Sequence, residues 1–104
     1  MRRLFAVVRT HGPAWDGSKP LENQRGWPDH VVFMNALAAE GFVVVGGPLE
    51  GTEDVLLIIS ADHEDEVRRR LASDPWSGGM LKLVRIAPWS LRLGEDRLAG
   101  RDAD

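Results

Sequence analysis

Short apolar runs alternate along the chain with longer stretches that carry helix signals. Runs rich in β-branched and aliphatic side chains are typical of strands, and they fall at Leu4–Thr10, Phe42–Val45, Val55–Ser60 and Leu81–Ile86. Helices are predicted at Pro28–Glu40 and from Asp62 to about Ser73. The sequence therefore predicts the element order βαββαβ.

Both predicted helices have recognisable ends. Pro28 suits the first helical turn, Asp29 favours the positive helix end, and Gly41 supplies a left-handed stop. Asp62 can cap the second helix, and Asp74-Pro75 ends it. The second helix also carries three acid-first pairs at i,i+4 spacing: Glu64/Arg68, Asp65/Arg69 and Glu66/Arg70.

Right-handed crossovers turn this order into an antiparallel four-stranded sheet with both helices on one face and strand order 4-1-3-2. The fold class is thus α+β with ferredoxin-like topology. The second and third strands are apolar at successive positions, a pattern typical of strands buried on both faces. Because two helices cover only one face, we expect a homodimer with the open faces packed together. The alternative is a sheet that exposes some valines.

Size and charge narrow the class of protein. A chain of 104 residues is long enough for one core, so we expect one domain over residues 1–94 and a loosely ordered polar tail over 95–104. A formal charge of -3 gives no general attraction to phosphate backbones or anionic membranes. We therefore expect neither nucleic acid nor a membrane as partner.

The chain contains no cysteine, which excludes disulfides, thiolate catalysis and cysteine-ligated metals. That absence agrees with a reducing compartment. The apolar run after Arg2-Arg3 is interrupted at Arg9, too early for a signal peptide or a membrane span. We expect a cytoplasmic protein.

A histidine and a carboxylate form the best candidate catalytic pair. Helical spacing places His30 on or beside the inward stripe of the first helix, at the sheet edge that also receives the end of the second helix. Asp74 meets the negative pole of that second helix, so it gains from a cationic or hydrogen-bonding partner. We expect His30 as general acid/base and Asp74 as its partner. Alternatively, Asp74 caps local backbone N–H groups and His30 is a core histidine.

The same edge collects candidate binding residues. Trp15, Trp27 and Trp76 can wall a pocket for an apolar or aromatic ligand. Gly47 and Pro48 lie where we expect the second strand to break, and glycine there permits close approach of a ligand to the backbone. The alternatives are core packing for the tryptophans and a tight strand exit for the glycines.

A metal site has weak support. His11, His30 and Asp74 would make a two-histidine, one-carboxylate set, but no short-spaced histidine pair supports it. We expect neither a metal nor another cofactor. His63 is expected on the solvated face of the second helix, and Ser77 has no recognisable base partner.

Several short motifs, taken in order, resemble the YciI-like (YCII-related) family of small dimeric α+β barrel proteins. They are Gly12-Pro-Ala-Trp-Asp16, Gly26-Trp27 with His30, Phe33-Met34, Gly41-Phe42, Gly46-Gly47-Pro48-Leu49, Asp74-Pro75-Trp76, Gly79 and Pro88-Trp89. The resemblance implies a ferredoxin-like dimer with back-to-back sheets and a site whose His and Asp look like His30 and Asp74. It also implies cofactor-free acid/base chemistry on small ring compounds.

Two functions are compatible with these features. The first is an enzyme that performs elimination or isomerisation on a small, cyclic organic molecule. The second is a non-catalytic small-molecule-binding or accessory domain with the same pocket. An RNA-binding module on this topology is disfavoured, because the first and third strands lack exposed aromatics and the chain lacks a basic face.

Overall fold

Four strands and three helices follow one another along residues 2–102, the part of the chain that the computed structural model describes, with side chains described for 2–98. They are β1 (Arg3–His11), α1 (Trp27–Ala39), β2 (Val43–Pro48), β3 (Asp54–Ala61), α2 (Glu64–Leu71), β4 (Leu81–Pro88) and α3 (Glu95–Asp102). Short 3₁₀ turns occupy Leu21–Asn23 and Pro75–Gly78. The first six elements follow the expected βαββαβ order.

The strands form one antiparallel sheet in the order β2-β3-β1-β4. This is the expected order, read from the opposite edge. One face of the sheet carries the core. In this core, Val7 and Ile59 of the central strands form a cluster with Leu37 of α1 and Val67 of α2. Both helices therefore cover the same face, and the fold is the expected ferredoxin-like α+β arrangement.

The other face of the sheet is apolar and has no helix against it from α1 or α2. Ala6 pairs with Ile58 and Val8 pairs with Leu56, so these side chains share the face opposite Val7. Val45 pairs with Ile58 on the same face, and its side chain is 46% exposed. The apolar second face expected from successive apolar positions is therefore present.

The second strand is longer than expected, and the prediction that it breaks at Gly46-Gly47-Pro48 was wrong. These three residues continue β2 and pair with Leu57, Leu56 and Val55 of β3. Gly46 makes this possible, because a Cβ there would meet the Leu57 side chain at 2.5 Å. Proline is tolerated at the end of β2 because β2 is an edge strand.

The second helix begins and ends slightly inside the expected bounds. Its N-cap is His63, whose side chain makes no capping hydrogen bond, so the expectation that Asp62 caps the helix was wrong. Instead the Glu66 carboxylate accepts a hydrogen bond from the Asp62 backbone N–H at 3.0 Å. The expected Glu64/Arg68 pair is present at 2.8 Å. Arg70 binds Glu40 at the end of α1 instead, with N–O distances of 2.6 and 2.8 Å.

The segment after Gly94, which we expected to be a polar tail, contains a short helix. Gly94 adopts a positive φ of 69°, and helix α3 starts at the next residue with two acids, Glu95 and Asp96, in its first turn. Acidic side chains in that position stabilise a helix N-terminus. The last two residues of the tail, 103–104, lie outside the described part of the chain.

Candidate active site

Asp74 is the centre of a buried polar cluster. Its side chain is fully buried and accepts hydrogen bonds from three directions. Arg9 of β1 donates through a terminal N–H to Oδ2 at 2.8 Å, and the Trp76 backbone N–H donates to Oδ1 at 2.9 Å. Nδ1 of His30 lies 2.9 Å from Oδ1 and 3.0 Å from Oδ2. The two interpretations of Asp74 therefore hold together: it caps a local backbone N–H and also binds His30.

The start of α1 delivers His30 to this carboxylate. Gly26 precedes the helix with a φ of 80°, a conformation that favours glycine, and Pro28 occupies the first turn as expected. The His30 ring stacks on Trp76 with centroids 4.0 Å apart and planes within 10°. Since an ionised carboxylate only accepts hydrogen bonds, Nδ1 is the protonated nitrogen of the neutral ring. Among the described residues, Nε2 of His30 has no hydrogen-bond partner.

Two opposing effects act on the Asp74 carboxyl group. Burial raises its pKa and is the largest single cause. Hydrogen bonds from His30, the Trp76 backbone and Arg9 lower the pKa, as does the charge of protonated His30, and together they exceed the effect of burial. The net pKa lies below its usual value, so Asp74 is a carboxylate at neutral pH.

Three of the four tryptophans form a cluster, and two of them, Trp27 and Trp76, lie against His30. Trp76 is 1% exposed and donates its indole N–H to the Arg25 carbonyl oxygen at 2.7 Å. Trp15 meets Trp76 edge-on at 5.6 Å, and Trp27 lies 5.7 Å from it. The indoles are therefore a packed cluster as well as pocket walls, so both interpretations of them apply.

A pocket of about 420 Å³ opens between α1, β2 and the loop that follows β1. All the expected binding residues line it, together with His30: Trp15, Trp27, Gly47, Pro48 and Trp76. Asp74 does not line the pocket but lies behind His30. His30 therefore lies between the pocket and the Asp74 carboxylate.

The two glycines of β2 have different roles. Gly47 pairs with Leu56, so a Cβ on it would lie on the open face of the sheet, where nothing is within 4 Å. Gly46 pairs with Leu57 on the core face, and a Cβ there would collide. The glycine that the packing requires is thus Gly46, while Gly47 contributes its backbone to the pocket.

The sequence interpretation did not identify Arg9 as part of the site. It is 3% exposed and lines the pocket from β1. Its position carried a signal, because Phe5 and Val7 face the core and Arg9 continues the same two-residue alternation. A cation at a core-facing strand position requires a buried anion, and Asp74 is that anion.

Gln24 was also missed. It is 4% exposed, and its side-chain N–H groups donate to the carbonyl oxygens of Asp16 at 2.7 Å and Lys19 at 2.9 Å. Its Oε1 accepts a hydrogen bond from the Asp16 backbone N–H at 2.9 Å. Gln24 thereby fixes the loop that carries Trp15. A polar residue in a long polar loop carries no sequence signal for this role.

The described residues show no cluster of three or more His, Cys, Asp or Glu side chains that could hold a metal ion. His11, which we considered with His30 and Asp74 as a metal set, stacks on Trp15 with centroids 3.7 Å apart. His63 is exposed, as expected. No helix within the described range is long and apolar enough to cross a membrane.

Comparison with solved structures gives a match over most of the chain. Neither a protein-family model nor a curated protein matches the sequence. A solved structure that does match is 5-chloro-2-hydroxyhydroquinone dehydrochlorinase (TftG) from Burkholderia phenoliruptrix AC1100, in complex with 2,5-dihydroxybenzoquinone. The match covers 89% of this chain and 97% of TftG, with a TM-score of 0.59 and 24% sequence identity. The chain has the fold of TftG. This agrees with the α+β class and strand order expected from the sequence.

Proposed function

We propose that the protein is an enzyme that carries out acid/base chemistry on a small cyclic organic molecule, with elimination or isomerisation as the reaction. One observation carries the proposal: the His30 ring lines an aromatic-walled pocket while a buried carboxylate holds its Nδ1. That hydrogen bond leaves Nε2 available to exchange a proton with a bound molecule.

The residues divide into three roles. Nε2 of His30 takes a proton from the substrate, and the Asp74 carboxylate stabilises the imidazolium that forms. In an elimination, the electron pair left on the substrate forms a double bond and the leaving group departs with its own bonding pair. In an isomerisation, His30 returns the proton to a different atom. Trp15 and Trp27 hold a flat ring, Trp76 supports the His30 ring by stacking on it, and Gly47 and Pro48 close the pocket from β2.

The structural neighbour supports this class of chemistry. TftG is a dehydrochlorinase, so its reaction is an elimination, and its structure contains a small quinone. On this basis, and on the sequence motifs, we propose membership of the YciI-like family. We further propose that the protein acts in the cytoplasm, needs no cofactor, and binds neither nucleic acid nor membrane.

Ligand binding tests the pocket first. We expect 2,5-dihydroxybenzoquinone to bind to the wild-type protein in a calorimetric titration, because a flat ring stacks well between indoles. Trp27→Ala should weaken binding roughly tenfold through loss of about 1.4 kcal/mol of stacking and burial. Trp89→Ala is the matched control, since Trp89 is 40% exposed and lies outside the pocket. Equal effects of the two variants would contradict the proposed pocket.

Turnover separates the enzyme from a non-catalytic binding domain. Chloride release from 5-chloro-2-hydroxyhydroquinone is the first assay, followed by a set of substituted ring compounds. We expect at least one compound to be turned over without added metal. Binding throughout that set without any turnover would favour the binding-domain alternative.

We also propose that the protein is a homodimer that buries the apolar sheet face carrying Val8, Val45 and Ile58. Light scattering at micromolar concentration should give twice the chain mass of 11.5 kDa. Val45→Asp should shift the mass toward that of the monomer, because it buries a charge in the interface. Val32→Asp is the control, since Val32 is 71% exposed on α1, on the opposite side of the sheet. A monomeric wild-type protein would contradict the dimer.

A further inference from the structure

Arginine is unusual at a buried, core-facing position of a central strand, where Arg9 lies. The residue lies within the central strand β1 and is 3% exposed. A guanidinium carries five N–H donors, but here one terminal nitrogen binds Asp74 and the other reaches only the Met34 sulfur, at 3.7 Å. Its Nε is buried and has no partner among the described residues. Burying an incompletely paired cation is unfavourable, so packing alone does not account for an arginine at this position.

The arrangement around Asp74 indicates what the charge of Arg9 does. Arg9 binds Oδ2 at 2.8 Å, while His30 approaches both carboxylate oxygens. Two potential cations therefore share a single buried anion. Because the positive charge of Arg9 offsets the negative charge of Asp74, the carboxylate stabilises the protonated form of His30 less than it would alone.

We propose that Arg9 is a positioning residue that sets the resting state of His30. It fixes the Asp74 carboxylate and offsets its charge, so that His30 rests as the neutral ring with its proton on Nδ1 and its Nε2 lone pair available to the pocket. His30 then begins the reaction as a base and becomes an acid only after it has taken a proton from the substrate. This catalytic consequence rests on the proposed function, but the resting state of His30 does not.

The charged and titratable groups that affect the protonation of His30 come from several elements. Asp74 and Arg9 contact each other behind the ring, from the end of α2 and from β1. His11 and Asp54 line the same pocket from the end of β1 and the start of β3. Within the described part of the chain, the Arg9 guanidinium is the permanently charged group that binds the Asp74 side chain, and His30 is the titratable one. Removing the charge of Arg9 should therefore stabilise the imidazolium form of His30.

Nitrogen-15 NMR of the histidine side chains tests the inference without any substrate. In the wild-type protein at pH 8, we expect His30 to give the neutral pattern with the proton on Nδ1. In Arg9→Met and in Arg9→Gln, the imidazolium form should persist to a higher pH, by about one pH unit or more. Gln preserves a hydrogen bond to Asp74 but not the charge, whereas Arg9→Lys preserves the charge and should titrate like the wild type.

Arg92→Met is the control for a general loss of positive charge, because Arg92 is exposed and outside the site. An Nε2-protonated wild-type His30, or an imidazolium still present at pH 8, would overturn the proposal without any variant. If Arg9→Met does not fold, the His30 titrations of Arg9→Gln and Arg9→Lys test the proposal. Identical titrations of His30 in those two variants would also overturn it.

Once a substrate is found, the acid limb of the pH-rate profile should move upward in Arg9→Gln by the same interval as the NMR titration. We expect the loss at acid pH to fall on kcat and not on KM, because Arg9→Gln changes the protonation of His30 and leaves the aromatic walls of the pocket in place. The His30 titration could move to higher pH in Arg9→Gln although the wild-type protein turns over no ring compound. That result would support the role of Arg9 and contradict the proposed function. A displaced NMR titration with an unmoved pH-rate profile would overturn the catalytic part of the inference.

Discussion

We expect His30→Gln to lower turnover roughly 10²- to 10⁴-fold while the fold and the affinity for ligand remain close to those of the wild type. Glutamine keeps a polar side chain of similar length that can still hydrogen-bond Asp74, but it exchanges no proton near neutral pH. The loss should therefore appear in kcat, with KM nearly unchanged. Steady-state kinetics on the substrate identified by the ring-compound assay provide the measurement.

His63→Gln is the matched control for this variant. His63 is exposed at the start of α2 and its side chain makes no capping hydrogen bond, so its replacement should leave kcat unchanged.

Asp74→Asn should show a smaller loss than His30→Gln, because it keeps a hydrogen-bonding group without the negative charge. The two losses should not add in the double variant, since both residues act through one proton transfer. Full turnover by His30→Gln would rule out the catalytic role and favour the binding domain.

Asp74→Ala should destabilise the protein by about 3 to 5 kcal/mol, because it leaves the buried guanidinium of Arg9 without a counterion. The same change removes the acceptor for the Trp76 backbone N–H, which starts the 3₁₀ turn at Pro75–Gly78. Urea unfolding monitored by circular dichroism measures the difference. Asp65→Ala, at an exposed position on α2, should change the free energy of unfolding by less than about 0.5 kcal/mol. Similar effects of the two variants would contradict the buried ion pair.

The depressed pKa of Asp74 gives this stability a definite pH dependence. The unfolded chain has the ordinary carboxyl pKa near 3.8, while the folded protein has a lower one. Between these two values the unfolded state binds more protons, so the stability rises with pH. The contribution is complete above pH 3.8 and is lost as the pH falls through the folded pKa. The acid limb of the stability profile should therefore be shallower in Asp74→Asn than in the wild type.

Much of the fold could be predicted because local signals agree with the final packing. The strand order follows from the element order and the handedness of crossovers. Gly41, with a φ of 84°, ends α1 where a left-handed residue was expected. The prediction failed at Gly46-Gly47-Pro48, because residues that usually break a strand are accommodated at an edge. It also failed at Asp62, because the helix begins one residue later, with His63 as its N-cap.

The candidate site was predictable only in part. The position of His30 on the inward side of α1, and the unfavourable charge of Asp74 at a helix C-terminus, were enough to predict that the two residues pair. Arg9 was missed because its charge was considered only as the end of an apolar run, and its core-facing position in the predicted strand Leu4–Thr10 was not used. Gln24 was missed because its three hydrogen bonds go to backbone groups, whose positions a residue pattern does not specify.

By itself the sequence determined the element order, the face that α1 turns inward and the residues that a pocket could use. These properties depend on spacing within one element, so a pattern of side chains is enough to establish them. Only the tertiary structure decided that Asp74 lies behind His30, that Arg9 shares its carboxylate, and that Trp76 stacks on the imidazole. Those contacts join residues 44, 65 and 46 positions apart, and their geometry arises when separate elements pack on one sheet.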